Sequence, residues 1–282
     1  SYIYYHYIIQ MKIFKNKTKL NKELINAKNL SFVPTMGGLH AGHKFLIKKA
    51  QEKSKKVIVT IFVNPKQFNS KKDYKNYPKN LGKDLEILKK LKVDIVYLPT
   101  YKDIYSFKAV NKIFLHKFNK QLCGKYRKNH FIGVLNVVNR MLEIIKPKFL
   151  FLGKKDYQQL RLIVEHIKKR KLNVIVVPCK TIREKNGVVC SSRNMNLNQK
   201  DLFAASKVYF YLKKQKKIMK KRKYIRFNEK QNILNIRKIG IKKVEYIKCI
   251  NLFNLIKPKL SISKFNIFIS YYINKTRLID NI

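Results

Sequence analysis

Acidic residues are scarce in this chain: 15 Asp and Glu stand against 65 Lys and Arg among 282 residues, a formal charge of +50. Such a balance can mark a nucleic-acid surface, where lysines gain affinity by releasing counterions. Here the lysines are scattered through nearly every element and accompany an excess of Asn, Ile and Tyr. They read as a biased coding background, and nucleic acid is not an expected partner. The charge opposes compaction by self-repulsion. Cysteine is sparse too. Cys123, Cys179, Cys190 and Cys249 lie far apart with no C-x-x-C pair, which argues against structural zinc and for a reducing, cytoplasmic setting. No apolar run approaches the roughly 20 residues of a membrane span. Residues 1–9 are apolar but lack a basic lead and a small-residue cleavage site, so they are not read as a signal peptide. Met11 is taken as nearer the working start. An apolar share of 45% suffices for a sizeable core and excludes disorder across the whole chain.

The apolar runs have an order. Residues 30–33 form a strand that Pro34 is expected to stop, and helical spacing begins near Gly42. Residues 56–63 read as a buried parallel strand ending in Asn64-Pro65-Lys66-Gln67-Phe68. A helix follows over 81–91, a strand over 93–99 and a short extended piece at 113–115. Next come an apolar helix over 133–145, a strand over 149–152, a helix over 157–170 and a strand over 174–178. This alternation predicts a doubly wound, Rossmann-like α/β fold with a parallel sheet. Its ligands belong beyond the carboxyl ends of the strands. From about residue 184 the character changes to a basic helix over 199–223 and strands over 243–250 and 265–273. The division expected is 1–186 for the larger domain and 187–282 for a small C-terminal α+β domain. No internal repeat is visible.

The most informative stretch is Pro34-Thr35-Met36-Gly37-Gly38-Leu39-His40-Ala41-Gly42-His43. Two glycines allow a sharp turn, and a helix N-terminus is a ready anion site. His40 and His43, three apart, share one side of the first turn. Their imidazoles can donate to phosphate oxygens, and beside phosphates the protonated form is favoured.

This stretch resembles the HIGH-type signature of nucleotidyltransferases. With six further blocks in order, the chain resembles the pantothenate synthetase (pantoate–β-alanine ligase) family over nearly its whole length. The blocks are F-V-N-P-K-Q-F (62–68), Y-P-K-N-L (77–81), R-K-N-H-F-I-G-V (127–134), F-L-G-K-K-D-Y-Q-Q-L (151–160), R-E-K-N-G-V-V-C-S-S-R-N (183–194) and R-L-I-D-N (277–281).

The resemblance implies ATP-dependent joining of pantoate to β-alanine through an acyl adenylate, with magnesium, by a homodimer. It implies that Met36, Gly37, Gly38, Leu39, His40, Ala41, Gly42 and His43 line the ATP site. His40 and His43 would then be on the phosphates and His43 in the family's proton-donor position. Gly153, Lys154, Lys155 and Asp156 would hold the nucleotide, with Lys155 as a point charge on phosphate. Ile182 would meet the adenine side, and Ser191, Ser192 and Arg193, preceded by Cys190, would close from the second domain. Gln67 and Gln159 would bind pantoate, Arg127 and His130 would sit near the phosphates, and Asp84 would serve magnesium. Five positions depart from the family pattern: Lys154 for glutamate, Lys128-Asn129 for Pro-Gly, Ile132 for arginine and Lys83 for a second acid. Two other readings compete: a different HIGH-type transferase, and a non-catalytic basic nucleic-acid binder. The second predicts decayed active-site blocks, whereas these are the best-kept part of the chain.

Overall fold

Two packed units emerge in the computed structural model, which describes residues 10–282; the expectations for residues 1–9 lie outside it. The first unit contains β1 (Lys12–Phe14), α1 (Lys17–Leu24), β2 (Ser31–Thr35), α2 (Ala41–Lys53) and β3 (Val57–Ile61). It continues through α3 (Lys71–Lys75), α4 (Leu81–Lys90), β4 (Ile95–Tyr97), α5 (Tyr101–Tyr105) and α6 (Leu122–Tyr126). It closes with α7 (His130–Ile145), β5 (Phe149–Gly153), α8 (Tyr157–Arg170) and β6 (Ile175–Cys179). Its six strands pair in parallel in the order β1-β4-β3-β2-β5-β6.

The two-residue period of a strand explains how one sheet supports two cores. Phe32, Ile58, Leu150 and Leu152 join α7 and α8 on one face. Their neighbours Val33, Val57, Val59, Phe149 and Phe151 join Ile47 and Ala50 of α2 and Leu88 of α4 on the other. Each fully buried Ile, Leu or Phe contributes about 1.5–3 kcal/mol. From β2 the chain winds outward through β3 and β4, then returns to lay β5 and β6 on the opposite side of β2. The winding reverses between β2 and β5, and a cleft opens at such a point.

The second unit contains α9 (Gln199–Lys220), α10 (Glu229–Lys238), β7 (Lys243–Asn251), β8 (Phe265–Ile273) and β9 (Thr276–Asn281). Its three strands are antiparallel, in the order β7-β8-β9. A separate cluster starting at Val188 fills it. Tyr246, Ile250, Leu255 and Phe268 of this unit also pack into the α7–α8 core.

Several expectations change. Pro34 does not stop β2, which runs on to Thr35. Ser31 and Thr35 bond towards β3, so the missing N–H of Pro34 faces β5. There the β2–β5 pairing covers only Ser31 and Phe32, and no ladder bond is lost. Residues 113–115 join no strand; the Phe114 N–H instead donates to His166 Nδ1 at 3.1 Å. The strand β1 and the helices α1 and α10 were not expected: β1 is three residues long, and the helices bury only Leu20 in α1 and Asn232 and Ile236 in α10. Asn129, which the resemblance sets against a family glycine, adopts φ +62°, a left-handed conformation that asparagine tolerates.

Candidate active site

At the switch point the strand β2 delivers the chain into a turn where Gly37 has φ +80° and Gly38 φ +62°. Glycine takes these values without strain. The turn's N–H groups are largely satisfied within the protein. Gly37 donates to Thr35 Oγ1 at 3.3 Å, Gly38 to Asp84 Oδ2 at 2.9 Å and Leu39 to Asp84 Oδ1 at 2.8 Å. The helix α2 then starts in a reciprocal cap: Gly42 N–H donates to His40 Nδ1 at 3.1 Å, and His40 N–H to His43 Nδ1 at 3.3 Å.

This cap fixes the chemistry of both imidazoles, whose ring centroids lie 4.0 Å apart. Burial, then Lys155, pushes the His40 pKa down to about 4, with Asp156 opposing. Burial, His40 and Lys155 hold His43 well below its ordinary value. Both rings are therefore neutral near pH 7. With Nδ1 accepting a backbone N–H, the proton resides on Nε2. The protonated pair expected beside phosphate gives way, in the free protein, to two neutral Nε2–H donors. Desolvation outweighs everything else there.

Beyond β3, Asn64 caps the turn Pro65–Gln67. Its side chain donates to the Gly133 carbonyl at 3.1 Å and accepts from Tyr105 Oη at 2.9 Å. Gly133 is required because a Cβ there would lie 2.2 Å from the Lys66 carbonyl oxygen. Gln67 is buried, with Nε2 against Met36 Sδ at 2.8 Å. Its carbonyl accepts from His130 Nδ1 at 2.7 Å and Arg127 Nη2 at 3.4 Å, while Arg127 Nη1 donates to His130 Nε2 at 3.1 Å. Both His130 nitrogens are spent inside the protein, and burial beside Arg127 lowers its pKa to about 3. His130 was expected near phosphates; here it braces Gln67. Burial, then Arg193 and Arg277, lowers Arg127 to about 10.

Two adjacent glutamines at the start of α8 differ completely. Gln158 is buried: its Oε1 accepts from Cys123 N–H at 3.1 Å, and its Nε2 donates to the carbonyls of Phe118 and Gln121, each at 2.8 Å. Gln159 is half-buried, bonds to no described side chain or backbone group, and lines the cavity. Between β5 and α8, Lys155 Nζ lies 3.2 Å from Asp156 Oδ1. The carbonyls of Lys154 and Lys155 accept from Asn281 of β9 at 3.0 and 2.8 Å. The second unit also reaches across through 191–193. Ser192 Oγ is 3.0 Å from Tyr77 Oη, and Arg193 Nη2 is 3.2 Å from Asp73.

These segments enclose a cavity of about 290 Å³ at the carboxyl ends of β2, β3 and β5. Of the expected residues, Met36, His40, Gly42 and His43 line it from the first motif. Gln67, Arg127, His130 and Gln159 line it from the substrate set, and Gly153, Lys155 and Asp156 from the nucleotide set. Ile182, Cys190, Ser191 and Arg193 line it from the side of the second unit. Gly37, Gly38, Leu39, Ala41, Lys154 and Ser192 do not line it: Ala41 and Lys154 are exposed, while the glycines, Leu39 and Ser192 are buried behind the wall. Sequence reasoning missed Tyr77, Asn281 and Arg277. All three lie inside quoted motif blocks, which was their only signal. Arg277 donates to Glu245 Oε2 from Nε at 2.9 Å and Nη2 at 2.7 Å.

Magnesium does not fit the residue chosen for it. Asp84 is 3% exposed, lies outside the cavity wall and gives each oxygen to a backbone N–H. Among the described residues no group of three or more His, Cys, Asp or Glu side chains could hold a metal ion.

A parallel sheet with a cleft at its switch point, a glycine turn and an H-x-x-H cap define a HIGH-type, Rossmann-like nucleotide-using protein. The family model described as pantoate-beta-alanine ligase matches residues 9–282. The chain belongs to that family. It is 39% identical over 268 residues to a pantothenate synthetase of Francisella tularensis subsp. novicida, covering 95% of this chain and 94% of that one. Its fold superposes with a TM-score of 0.82 on the Francisella tularensis pantoate-beta-alanine ligase solved with β-γ ATP and β-alanine. That pair is 37% identical and covers 97% of each chain. The pantothenate synthetase of Thermus thermophilus gives a TM-score of 0.90 at 27% identity, covering 96% of this chain and 99% of that one.

Proposed function

We propose that this enzyme condenses pantoate with β-alanine at the expense of ATP. A carboxylate oxygen of pantoate attacks the α-phosphorus and the bond to the bridging oxygen breaks, giving pantoyl adenylate and pyrophosphate. The β-alanine amine then attacks the activated carbonyl. A C–N bond forms, the C–O bond to AMP breaks, and the amine sheds a proton to solvent. Little covalent chemistry falls to the protein, which aligns the reactants and offsets charge on the phosphates. His40 and His43 supply Nε2–H donors and Lys155 a cation. Gln67 and Gln159 suit pantoate, since an amide donates to a carboxylate and accepts from hydroxyls.

One observation carries this reading: blocks scattered from residue 36 to residue 193 meet in a single cavity at the switch point. Magnesium enters as the companion of ATP phosphates, since Mg²⁺ is commonly bound through substrate phosphates and water. Four buried free cysteines favour a reducing, cytoplasmic location. No described helix is long and apolar enough to cross a membrane. A homodimer is the assembly proposed, and light scattering tests it. Incubation with ATP, magnesium, pantoate and β-alanine should release AMP and pyrophosphate in equal amounts. Release of AMP without pantoate, or none with all four present, overturns the assignment.

A further inference from the structure

The residue that the resemblance assigns to magnesium has a different task. We infer that Asp84 is a positioning residue: its carboxylate occupies the backbone cradle of the glycine turn and thereby sets the cap that orients His40 and His43. The inference rests on the ligase reading only for its kinetic arm.

The geometry argues it in steps. Successive backbone N–H groups in a turn can converge on one side, forming a concavity that binds anions. Gly37 and Gly38 are both left-handed, and the N–H groups of Gly38 and Leu39 converge on the two oxygens of Asp84 at 2.9 and 2.8 Å. The protein's own carboxylate fills a cradle that would otherwise receive a phosphate. The fit is tight, for a Cβ on Gly37 would lie 2.9 Å from Asp84 Oδ2. Leu39, held by Oδ1, directly precedes His40, the residue that caps α2. Loss of the brace frees the turn at that point, and the cap fixing both Nε2–H groups loosens with it. Asp84 lies outside the cavity wall, and each of its oxygens already accepts a backbone N–H. The neighbouring Lys83, exposed at the start of α4, makes a divalent ion less welcome still.

Asp84→Asn keeps the shape but sets an NH₂ group against one of the two N–H donors. Its expected effects separate the two roles. The rate of pantoyl-adenylate formation at saturating ATP should fall about a hundredfold, the scale of misplacing reacting groups by an ångström. The magnesium concentration for half-maximal rate should stay within twofold. The ring ¹⁵N spectra of His40 and His43 should pass from one Nε2–H form to a mixture. Gly37→Ala retains the carboxylate but displaces it, and should reproduce both the rate loss and the spectral change. It also supplies the test if Asp84→Asn does not fold. Recovery of Asp84→Asn at high magnesium, or a tenfold weaker magnesium requirement with unchanged histidine spectra, overturns the inference. Wild-type protein without ATP-dependent activity would sink the ligase reading, while the histidine spectra would still decide the role of Asp84.

Discussion

Substituting the two neighbouring glutamines of α8 one at a time separates architecture from substrate binding. Gln158 satisfies three buried backbone groups: the Cys123 N–H and the carbonyls of Phe118 and Gln121. At about 1 kcal/mol net for each bond, Gln158→Ala should lose about 3 kcal/mol of stability. With a shift of about 2–4 °C per kcal/mol for large chains, the melting temperature should fall by roughly 6–12 °C. The Gln159 side chain has no hydrogen-bond partner among the described residues, so Gln159→Ala should stay within about 0.5 kcal/mol of the parent. It should instead raise the KM for pantoate about tenfold, the loss of one hydrogen bond to a charged group. Melting by far-UV circular dichroism and initial rates over a pantoate series measure both quantities. Equal melting temperatures for the two variants, or an unchanged pantoate KM in Gln159→Ala, would refute the assignment of the pair.

His43→Ala should abolish pyrophosphate release while leaving the circular dichroism spectrum intact; normal release from that variant contradicts its place on the phosphates. Arg183 grips the buried Asp280 through two bonds, at 2.6 and 2.9 Å. Arg183→Ala should cost about 3–5 kcal/mol, because a buried charge is left unpaired; a loss below about 1 kcal/mol in urea melts counts against it. Acid should destabilise the protein early. The folded-state pKa values of His40, His130 and His166 are pushed down to about 4, 3 and 4 from 6.5, chiefly by burial. Below pH 6.5 the unfolded chain therefore takes up protons first. The stability these rings contribute is complete above about pH 6.5 and is lost as pH falls towards 4. A melting temperature that stays flat from pH 6.5 to 5, above the ordinary carboxylate range, would refute this.

Much of the site was legible because chemistry at a cleft needs particular residue types at fixed local spacing. The H-x-x-H pair, Gln67, Lys155 and Arg193 could be named from their blocks alone, and all line one cavity. Roles were harder than names. His130 and Asp84 look like functional polar residues in sequence, yet His130 is held between the Gln67 carbonyl and Arg127, and Asp84 by two backbone N–H groups. The protonation of His40 and His43 could not be read either, since it depends on how deeply the rings are buried and on the nearby Lys155.

The sequence by itself determined the α/β alternation, the strands at the heart of the sheet and the motif blocks. These follow from apolar periodicity and local turn chemistry, which neighbouring residues impose on one another. Tertiary structure alone decided which side chains stay free. A carboxylate or an imidazole is available to a ligand only after the fold has assigned its hydrogen-bonding partners, and for Asp84 and His130 those partners come from segments tens of residues away.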